Sequence, residues 1–550
     1  MTILYPCRSK PYFSRMEIVF LCNLFKAMRR YFNTTGFCRP EWHYMVDPTR
    51  GLVNDIYALI EKSQYFLLHA PRQSGKTTLL HAITRRINSE GKYIAVTFSM
   101  ENAGYRSITV EKAMSISIDS LFRTSKQFLS DEELPSMPDL YSESENLLFR
   151  YLSDWSHQQS KPIVLFIDEI DSIFDDKMVA TLRQLRNGFQ LRPKDFPTSV
   201  ALIGLRDIRE YKNKVKEMDG QMGSGSPFNI KAESFSLKNF TKDQITQLFQ
   251  QYTDDTGQQF SESVVELIHT YTGGQPWLVN AVANEIVAKI LANDASLEIT
   301  TEIVETAVEN LILRRDTHLD SLMDKLTETR VRNIVQNVIS GEPFFEETFN
   351  DDLQYTIDLG IVTNSASGIV IANRIYSEII PRVLSSGAQE SMKPVVDPLW
   401  FVHNNKLDMD LLLKEFQQFY RENAESWIDR FSYKECGHQL LLMAFLQRII
   451  NGGGQIDREM ALGRGRTDLL IHFSGERFVL ELKVKNQNYT QEKSCIQLSR
   501  YLDTVGLSSG YLIVFESAPS SELSWEQRIK WHEVEFEWQG KNRKITVVEM

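Results

Sequence analysis

The stretch that most constrains this chain is Ala70-Pro-Arg-Gln-Ser-Gly75-Lys76-Thr77, set between the apolar run Tyr65–His69 and the helical stretch Thr78-Leu-Leu-His-Ala-Ile. A strand that enters a tight loop and leaves as a helix turns consecutive backbone N–H groups inward. The helix N-terminus adds positive potential, so the segment is suited to phosphate. It follows the Walker A pattern G-x-x-x-x-G-K-[ST], with Ala70 in place of the first glycine. In that pattern Gly75 allows close backbone approach, Lys76 reaches the β- and γ-phosphates, and Thr77 ligates Mg²⁺. Pro71, Arg72, Gln73, Ser74 and Thr78 complete the candidate nucleotide loop. The bland alternative, a chance Gly-Lys-Thr in a turn, fits poorly with the strand and helix on either side.

The partner is Ile163-Val-Leu-Phe-Ile-Asp168-Glu169. Apolar residues at successive positions predict a strand buried on both faces, as in a parallel sheet. Two carboxylates at its end fit a Walker B site, with Asp168 holding Mg²⁺ through water and Glu169 polarising the attacking water. Alone, such a pair reads as an exposed turn; Lys76 upstream tips the balance. Short apolar runs alternate with amphipathic stretches from Tyr31 to about 240, predicting an α/β domain with strands Tyr65–His69, Tyr93–Phe98, Ile163–Ile167, Val200–Leu205 and Phe228–Ile230. Thr241 with Gln244 predicts a capping box opening a helical region over 241–312. Helices followed by a small hairpin suggest a winged-helix-like module over 313–384. Ser385-Ser-Gly-Ala-Gln-Glu-Ser-Met-Lys-Pro394 reads as a linker ending near 396, before a last domain over 397–550.

The strand candidate Tyr93–Phe98 falls between the two motifs, and an inserted strand with a glutamate beside the Walker B aspartate resembles the additional-strand ATPase division that includes AAA+ and STAND proteins. ATP is therefore expected over GTP. Tyr31-Phe-Asn-Thr-Thr-Gly36, Tyr44-Met-Val-Asp-Pro48, His69–Thr78, Leu202-Ile-Gly-Leu-Arg-Asp207 and Ser226-Pro-Phe-Asn-Ile230 resemble the bacterial AAA-ATPase-like family. Thr272-Gly-Gly-Gln-Pro-Trp-Leu278 is similar to the lid signature of STAND-type ATPases. The resemblance implies a γ-phosphate sensor at Arg206 and an adenine-proximal Pro276. Arg183 and Arg186, on the helix after the acids, could act as trans fingers, but a solvated helix face is the favoured reading.

A second constellation is Thr467-Asp468 through Glu481-Leu-Lys483. Ser474-Gly475 is a two-residue turn signal, and a hairpin closed there pairs Phe473 with Glu476 and Asp468 with Glu481. Side chains alternate along a strand, so Lys483 shares the face of Glu481. Two carboxylates and an amine on one side can hold Mg²⁺, or Mn²⁺, through Asp468 and Glu481, with Lys483 steadying water or phosphate. This resembles the D…ExK arrangement of PD-(D/E)XK phosphodiesterases, a metal-dependent nuclease superfamily. The resemblance implies a further acid on a preceding helix, for which Glu435 is the candidate. Gln497-Leu-Ser-Arg-Tyr501 is similar to the QxxxY element of RecB-type nucleases, placing Gln497 and Tyr501 near nucleic acid. The bland alternative is an ordinary cross-strand ion pair. Arg464, Arg466, Lys483, Lys485, Lys493 and Arg500 are expected to supply a local phosphate-binding patch.

A chain of 550 residues predicts three to five domains. The net charge of −11 excludes a general nucleic-acid coat but not a local site, and residues 397–550 carry 19 Lys and Arg against 22 Asp and Glu. Cys7, Cys22, Cys38, Cys436 and Cys495 form no CxxC pair, which suits a reducing cytoplasm and disfavours structural zinc. The longest apolar run near the start, Ile18–Phe25, is too short for a membrane span, and residues 1–30 read as an extension with Met28 as an alternative start. The expectation is an ATP-binding, ATP-hydrolysing protein whose end domain cuts nucleic acid, DNA before RNA, with self-association left open. The alternative is an ATPase switch or scaffold whose end domain binds nucleic acid or a protein without cutting. A regulator working through the winged-helix module has the weakest support.

Overall fold

The computed structural model describes residues 30–138, 143–205, 231–314, 317–340, 350–366, 368–391, 401–403, 406–428, 438, 441–443, 445–446, 454–460, 467–485, 489–516 and 529–550. The extension up to 29, strand candidate Phe228–Ile230, Arg206, Glu435, Arg464 and Arg466 lie outside them. The chain divides after Leu313 into two compact units.

The first unit is ordered as α1 (Val53–Glu61), β1 (Tyr65–His69), α2 (Lys76–Glu90), β2 (Ile94–Ser99), α3 (Val110–Ser125), α4 (Leu147–Gln158), β3 (Ile163–Asp168), α5 (Asp175–Gly188), β4 (Ser199–Gly204) and β5 (Lys231–Ser236). The five strands form one sheet in the order β2-β3-β4-β1-β5, with every neighbouring pair parallel. The unbroken apolar runs of β3 and β4 are buried at every position, as strands covered on both faces must be. Alternate residues serve opposite layers. Leu67, Val96, Leu165 and Val200 pack with α3, α4 and α5, while Phe66, Ala95, Phe166 and Ala201 pack with α1 and α2. The strand between β1 and β3 in the sheet is β4; the expected inserted strand, Tyr93–Phe98, falls between the two motifs only in sequence and forms the edge strand β2.

Four helices follow, α6 (Lys242–Thr256), α7 (Glu262–Thr272), α8 (Pro276–Asn284) and α9 (Thr301–Arg314). α6 opens on the predicted capping box: Gln244 N–H donates to Thr241 Oγ1 at 3.2 Å, and Thr241 N–H to Gln244 Oε1 at 3.0 Å. Gln275 caps α8, with Pro276 in its first turn, where a missing N–H costs nothing. Before it, Gly274 has φ +69° and packs so closely on Phe240 that a Cβ would stand 1.9 Å from the Phe240 carbonyl oxygen. The segment ahead of the sheet runs back along α6, through Arg30–Asp255 at 3.0 Å and Gln251 Nε2 donating to Met45 O at 2.8 Å.

In the second unit, α10 (Thr317–Leu326), α11 (Thr329–Ser340) and α12 (Asp351–Asp358) precede the antiparallel hairpin β6 (Val362–Ser365) and β7 (Gly368–Ile371), then α13 (Arg374–Ser391). The expected linker is corrected here. Its first seven residues, 385–391, continue α13, because extending a formed helix through Ala, Gln and Glu is cheap compared with starting one. The remainder, from 392, lies outside the described residues.

A two-residue pair, β8 (Val402–His403) with β9 (Lys406–Leu407), leads to α14 (Met409–Ile428). Then come β10 (Gly454–Met460), β11 (Thr467–Phe473), β12 (Glu476–Lys485), α15 (Gln491–Val505), β13 (Ser509–Glu516), β14 (Lys530–Trp538) and β15 (Lys541–Glu549). They form a six-stranded mixed sheet in the order β10-β11-β12-β13-β15-β14. One face, through Leu469, Ile471, Leu480 and Leu482, packs on α14 and on Leu441, Leu442, Met443, Phe445 and Leu446. The other, through Leu470, Val479, Leu512 and Val547, packs on α15. No helix among the described residues is long and apolar enough to cross a membrane.

Candidate nucleotide site and a second acid–lysine cluster

The loop between β1 and α2 is shaped by two left-handed residues, Gln73 at φ +55° and Gly75 at φ +92°. At Gly75 a Cβ would stand 2.7 Å from the Arg50 guanidinium and displace it, while the left-handed backbone itself favours glycine. Ala70 needs no such freedom. Its methyl is buried in the core between β1 and α2, and its N–H donates to Gly204 O at 3.2 Å at the end of β4. That explains why alanine serves where the pattern has glycine. Ser74 Oγ closes the loop on Pro71 O at 2.7 Å. Pro71, Arg72 and Gln73 form its outer arc.

Lys76 is the first residue of α2, and its ammonium donates to Ala70 O at 2.7 Å and Pro71 O at 2.8 Å. Burial pushes it down to about 8, against the pull of Asp168, Asp171 and Glu169. Thr77 Oγ1 donates to Asp168 Oδ2 at 3.0 Å, so the two expected Mg²⁺ ligands, from α2 and β3, meet directly. Thr78, on the next turn position, accepts the Cys38 N–H at 3.0 Å. Asp168 is buried, which raises its carboxyl above the usual range while Lys76 pulls the other way. Glu169 follows with φ +55°, and its carboxylate accepts from Ser99 Oγ at 2.5 Å. Burial raises it too, and the Ser99 bond opposes that shift. Ser99 ends β2 in register with Asp168.

Pro276 is buried at the head of α8, and neighbouring Gln275 reaches Gln73 O at 3.4 Å. Arg183 is exposed on α5. Three residues at this site drew no notice in the sequence: Arg50, Ser99 and Gln275. Only Gln275 lay inside a recognised segment; the others carry signals visible only once the strands are paired.

The sequence profile of one known family, described as an AAA-like domain, matches residues 53–380, more than half of the chain. The chain belongs to that family. Among solved structures, a Walker-type ATPase of Pyrococcus abyssi aligns at 14% identity and TM-score 0.45, over 64% of this chain and 99% of its own. The Thermotoga maritima RuvB Holliday junction branch migration motor aligns at 16% identity and TM-score 0.33, over 60% and 93%. The Aeropyrum pernix ORC1 protein in complex with DNA aligns at 13% and 0.33, over 64% and 95%. No curated protein matches.

Beyond the AAA-like region, β11 and β12 pair in the predicted register, with Asp468 opposite Glu481 and Phe473 opposite Glu476. Glu481 is fully buried and Lys483 nearly so, and the Lys483 ammonium donates to the Glu481 carboxylate. By alternation both point to the α15 side, where Val479 packs with Leu498 and Tyr501. Gln497 and Tyr501 sit one turn apart on α15; Tyr501 is buried in that layer and Gln497 is half-buried. Of the expected basic patch, Arg464 and Arg466 lie outside the described residues. Lys485 is matched with Glu516 at 3.5 Å and Glu549 at 3.8 Å, and Lys493 and Arg500 are exposed. Strands β13 and β15 bring those glutamates to the end of β12, which spacing along one segment could not reveal. Among the described residues, no group of three or more His, Cys, Asp or Glu is placed to hold a metal by itself.

Proposed function

We propose that this AAA-like protein binds and hydrolyses ATP in the crevice between the β1–α2 loop and the end of β3. The contact that carries the reading is Thr77 Oγ1 on Asp168 Oδ2, which joins the two halves of a phosphate site from distant parts of the sequence. The loop amides and Lys76 would hold the β- and γ-phosphates, trading the Ala70 and Pro71 carbonyls for phosphate oxygens. Thr77 and, through water, Asp168 would hold Mg²⁺, which neutralises charge developing on the phosphates. Glu169 would take the proton of the attacking water once released from Ser99. Pro276 would lie beside adenine, and Arg206 would sense the γ-phosphate. Helices α6 to α9 act as the lid over this crevice.

For the end domain, we infer a metal-dependent nuclease of the PD-(D/E)XK type, acting on DNA before RNA. Support comes from Asp468 in register with Glu481, and from Lys483 on the α15 face with Tyr501. Glu435 would add the helix-borne acid, and Mg²⁺ or Mn²⁺ the Lewis acid. A second reading, binding without cutting, is favoured by the pairing of Lys485 with Glu516 and Glu549. Residues 313–384, helices around a hairpin, are read as winged-helix-like and as relaying nucleotide state. A cytoplasmic home rests on the absence of a CxxC pair in the sequence; among the described residues, Cys38 and Cys495 are free.

The deciding experiment measures phosphate release and cleavage of linear, circular and single-stranded DNA with Mg²⁺ or Mn²⁺, with and without ATP, beside Lys76→Ala and Glu481→Ala. Phosphate release lost in Lys76→Ala and cleavage lost in Glu481→Ala are the expected results. Intact DNA throughout would support the binding reading, and cleavage surviving Glu481→Ala would remove the assigned nuclease site.

A further inference from the structure

We propose that Arg50 is a positioning residue that couples the shape of the phosphate loop to the lid and makes that coupling depend on nucleotide. The inference rests on the nucleotide-site reading above and extends it to a residue that makes no phosphate contact in its own right.

Arg50 sits ahead of α1 in a turn where its own backbone is left-handed, at φ +47°, an uncommon conformation for a residue with a side chain. The turn is held by Asp47, whose carboxylate accepts both the N–H and the hydroxyl of Thr49, at 3.0 and 2.6 Å. The nearest acid in sequence is therefore spent on the turn. Arg50 makes no ion pair among the described residues.

Arg50 is half-buried, and its guanidinium bridges two structures. Nη2 donates to Ser74 O at 2.6 Å and Nη1 to Lys238 O at 2.5 Å, while the plane lies over the Phe240 ring with 4.7 Å between Cζ and the centroid. Nε is buried and makes no hydrogen bond. Ser74 belongs to the phosphate loop; Lys238 and Phe240 belong to the crossing from β5 into α6, and Phe240 N–H donates to Gly274 O at 2.7 Å beside the head of α8.

The peptide between Ser74 and Gly75 makes this bridge functional. In a trans peptide the carbonyl and the N–H point in opposite directions. A cation that pins the Ser74 carbonyl on the outside of the loop fixes the Gly75 N–H toward the inside, where a phosphate oxygen would accept it. The same cation places positive charge behind that peptide, only partly offset by the nearby Asp47 carboxylate, where partial burial lets charge act over a longer range than in water. An anion in the loop would be attracted by it, tightening the bond to Ser74. The stacked Phe240 and the held Lys238 carbonyl would carry the change to the lid. Lysine could supply the charge but not the planar fork that holds two carbonyls and lies on a ring. The missing side chain at Gly75 leaves room for the fork.

The test uses the full chain and compares the wild type with Lys76→Ala, Arg50→Lys and Arg50→Met. ATP and ADP affinities are measured by calorimetry, and amide exchange at 237–241 is followed with and without saturating ATP. Wild type should bind ATP and show slowed exchange at Phe240. Arg50→Met should bind about tenfold or more weakly, the expected loss of a charge-assisted hydrogen bond, and lose the slowing even when saturated. Arg50→Lys should recover part of the affinity and none of the slowing, a split that general loosening would not produce. If Arg50→Met does not fold, the Arg50→Lys split alone decides the matter. Wild-type affinity and lid protection in either variant would overturn the proposal while leaving the nucleotide site in place. Failure of the wild type itself to bind ATP would overturn both.

Discussion

Lys76 has a pH dependence of definite sign. Its ammonium, lowered by burial to about 8, is the form that attracts phosphate. Nucleotide should restore the charge, so binding near pH 8 should take up protons and affinity should fall as pH rises through about 8. Calorimetry in two buffers of different ionisation enthalpy measures this, and no buffer dependence would count against it. The same shift works against stability at neutral pH. The unfolded chain holds this proton up to about 10.5 and the folded one only to about 8, so the group's penalty fades as pH rises between them. Glu169 gives a second residue-scale expectation. Burial raises its carboxyl and the Ser99 hydroxyl opposes that, so Ser99→Ala should move the acid limb of ATP hydrolysis to higher pH. An unmoved limb would show that Glu169 is not the titrating base. Lys76, Thr77, Asp168 and Glu169 could be proposed from the sequence because their chemistry is tied to short spacings. Ser99 could not, because its importance comes from pairing β2 beside β3, a contact between residues far apart in sequence.

Individual elements were read with similar unevenness. β1 and the α6 cap emerged as expected, since apolar runs and capping boxes are local signals. β2 and β4 are each displaced by one residue from their expected limits. The linker reading failed because Ser and Gly after a formed helix do not stop it without a competing structure. Thr241→Ala should cost about 1 kcal/mol, the usual loss of an N-cap, and appear as faster exchange in the first turn of α6 rather than as global unfolding. The β11–β12 hairpin is more sensitive to length than to composition. One residue inserted at Ser474-Gly475 would shift the pairing of Asp468 with Glu481, and a one-residue slip turns every side chain to the opposite face. Such a variant should lose any cleavage activity while ATP hydrolysis continues, and retained cleavage would show that the register is immaterial.

At the scale of the whole molecule, the residues proposed for ATP hydrolysis and those proposed for cleavage belong to different compact units. Glu481→Gln should therefore abolish cleavage and leave ATP affinity within about twofold of wild type, as distant, independent sites behave; a larger loss of affinity would reveal that the units share more than a chain. Family membership was legible because its motifs are contiguous over the AAA-like region. The mixed sheet of the second unit was only partly so, since β13, β15 and β14 are assembled out of chain order. The order of the first sheet has one more consequence. β4 supplies no carboxylate or amine to the crevice, yet it holds the loop on one side through Gly204 and the acid strand on the other. Its width, twice the strand spacing or roughly 10 Å between β1 and β3, is the gauge to which the two jaws of the phosphate site are set. A search for functional positions by chemical character alone would pass over Ala201 and Ile203. A bulge inserted there would open the jaws without touching any residue that meets ATP.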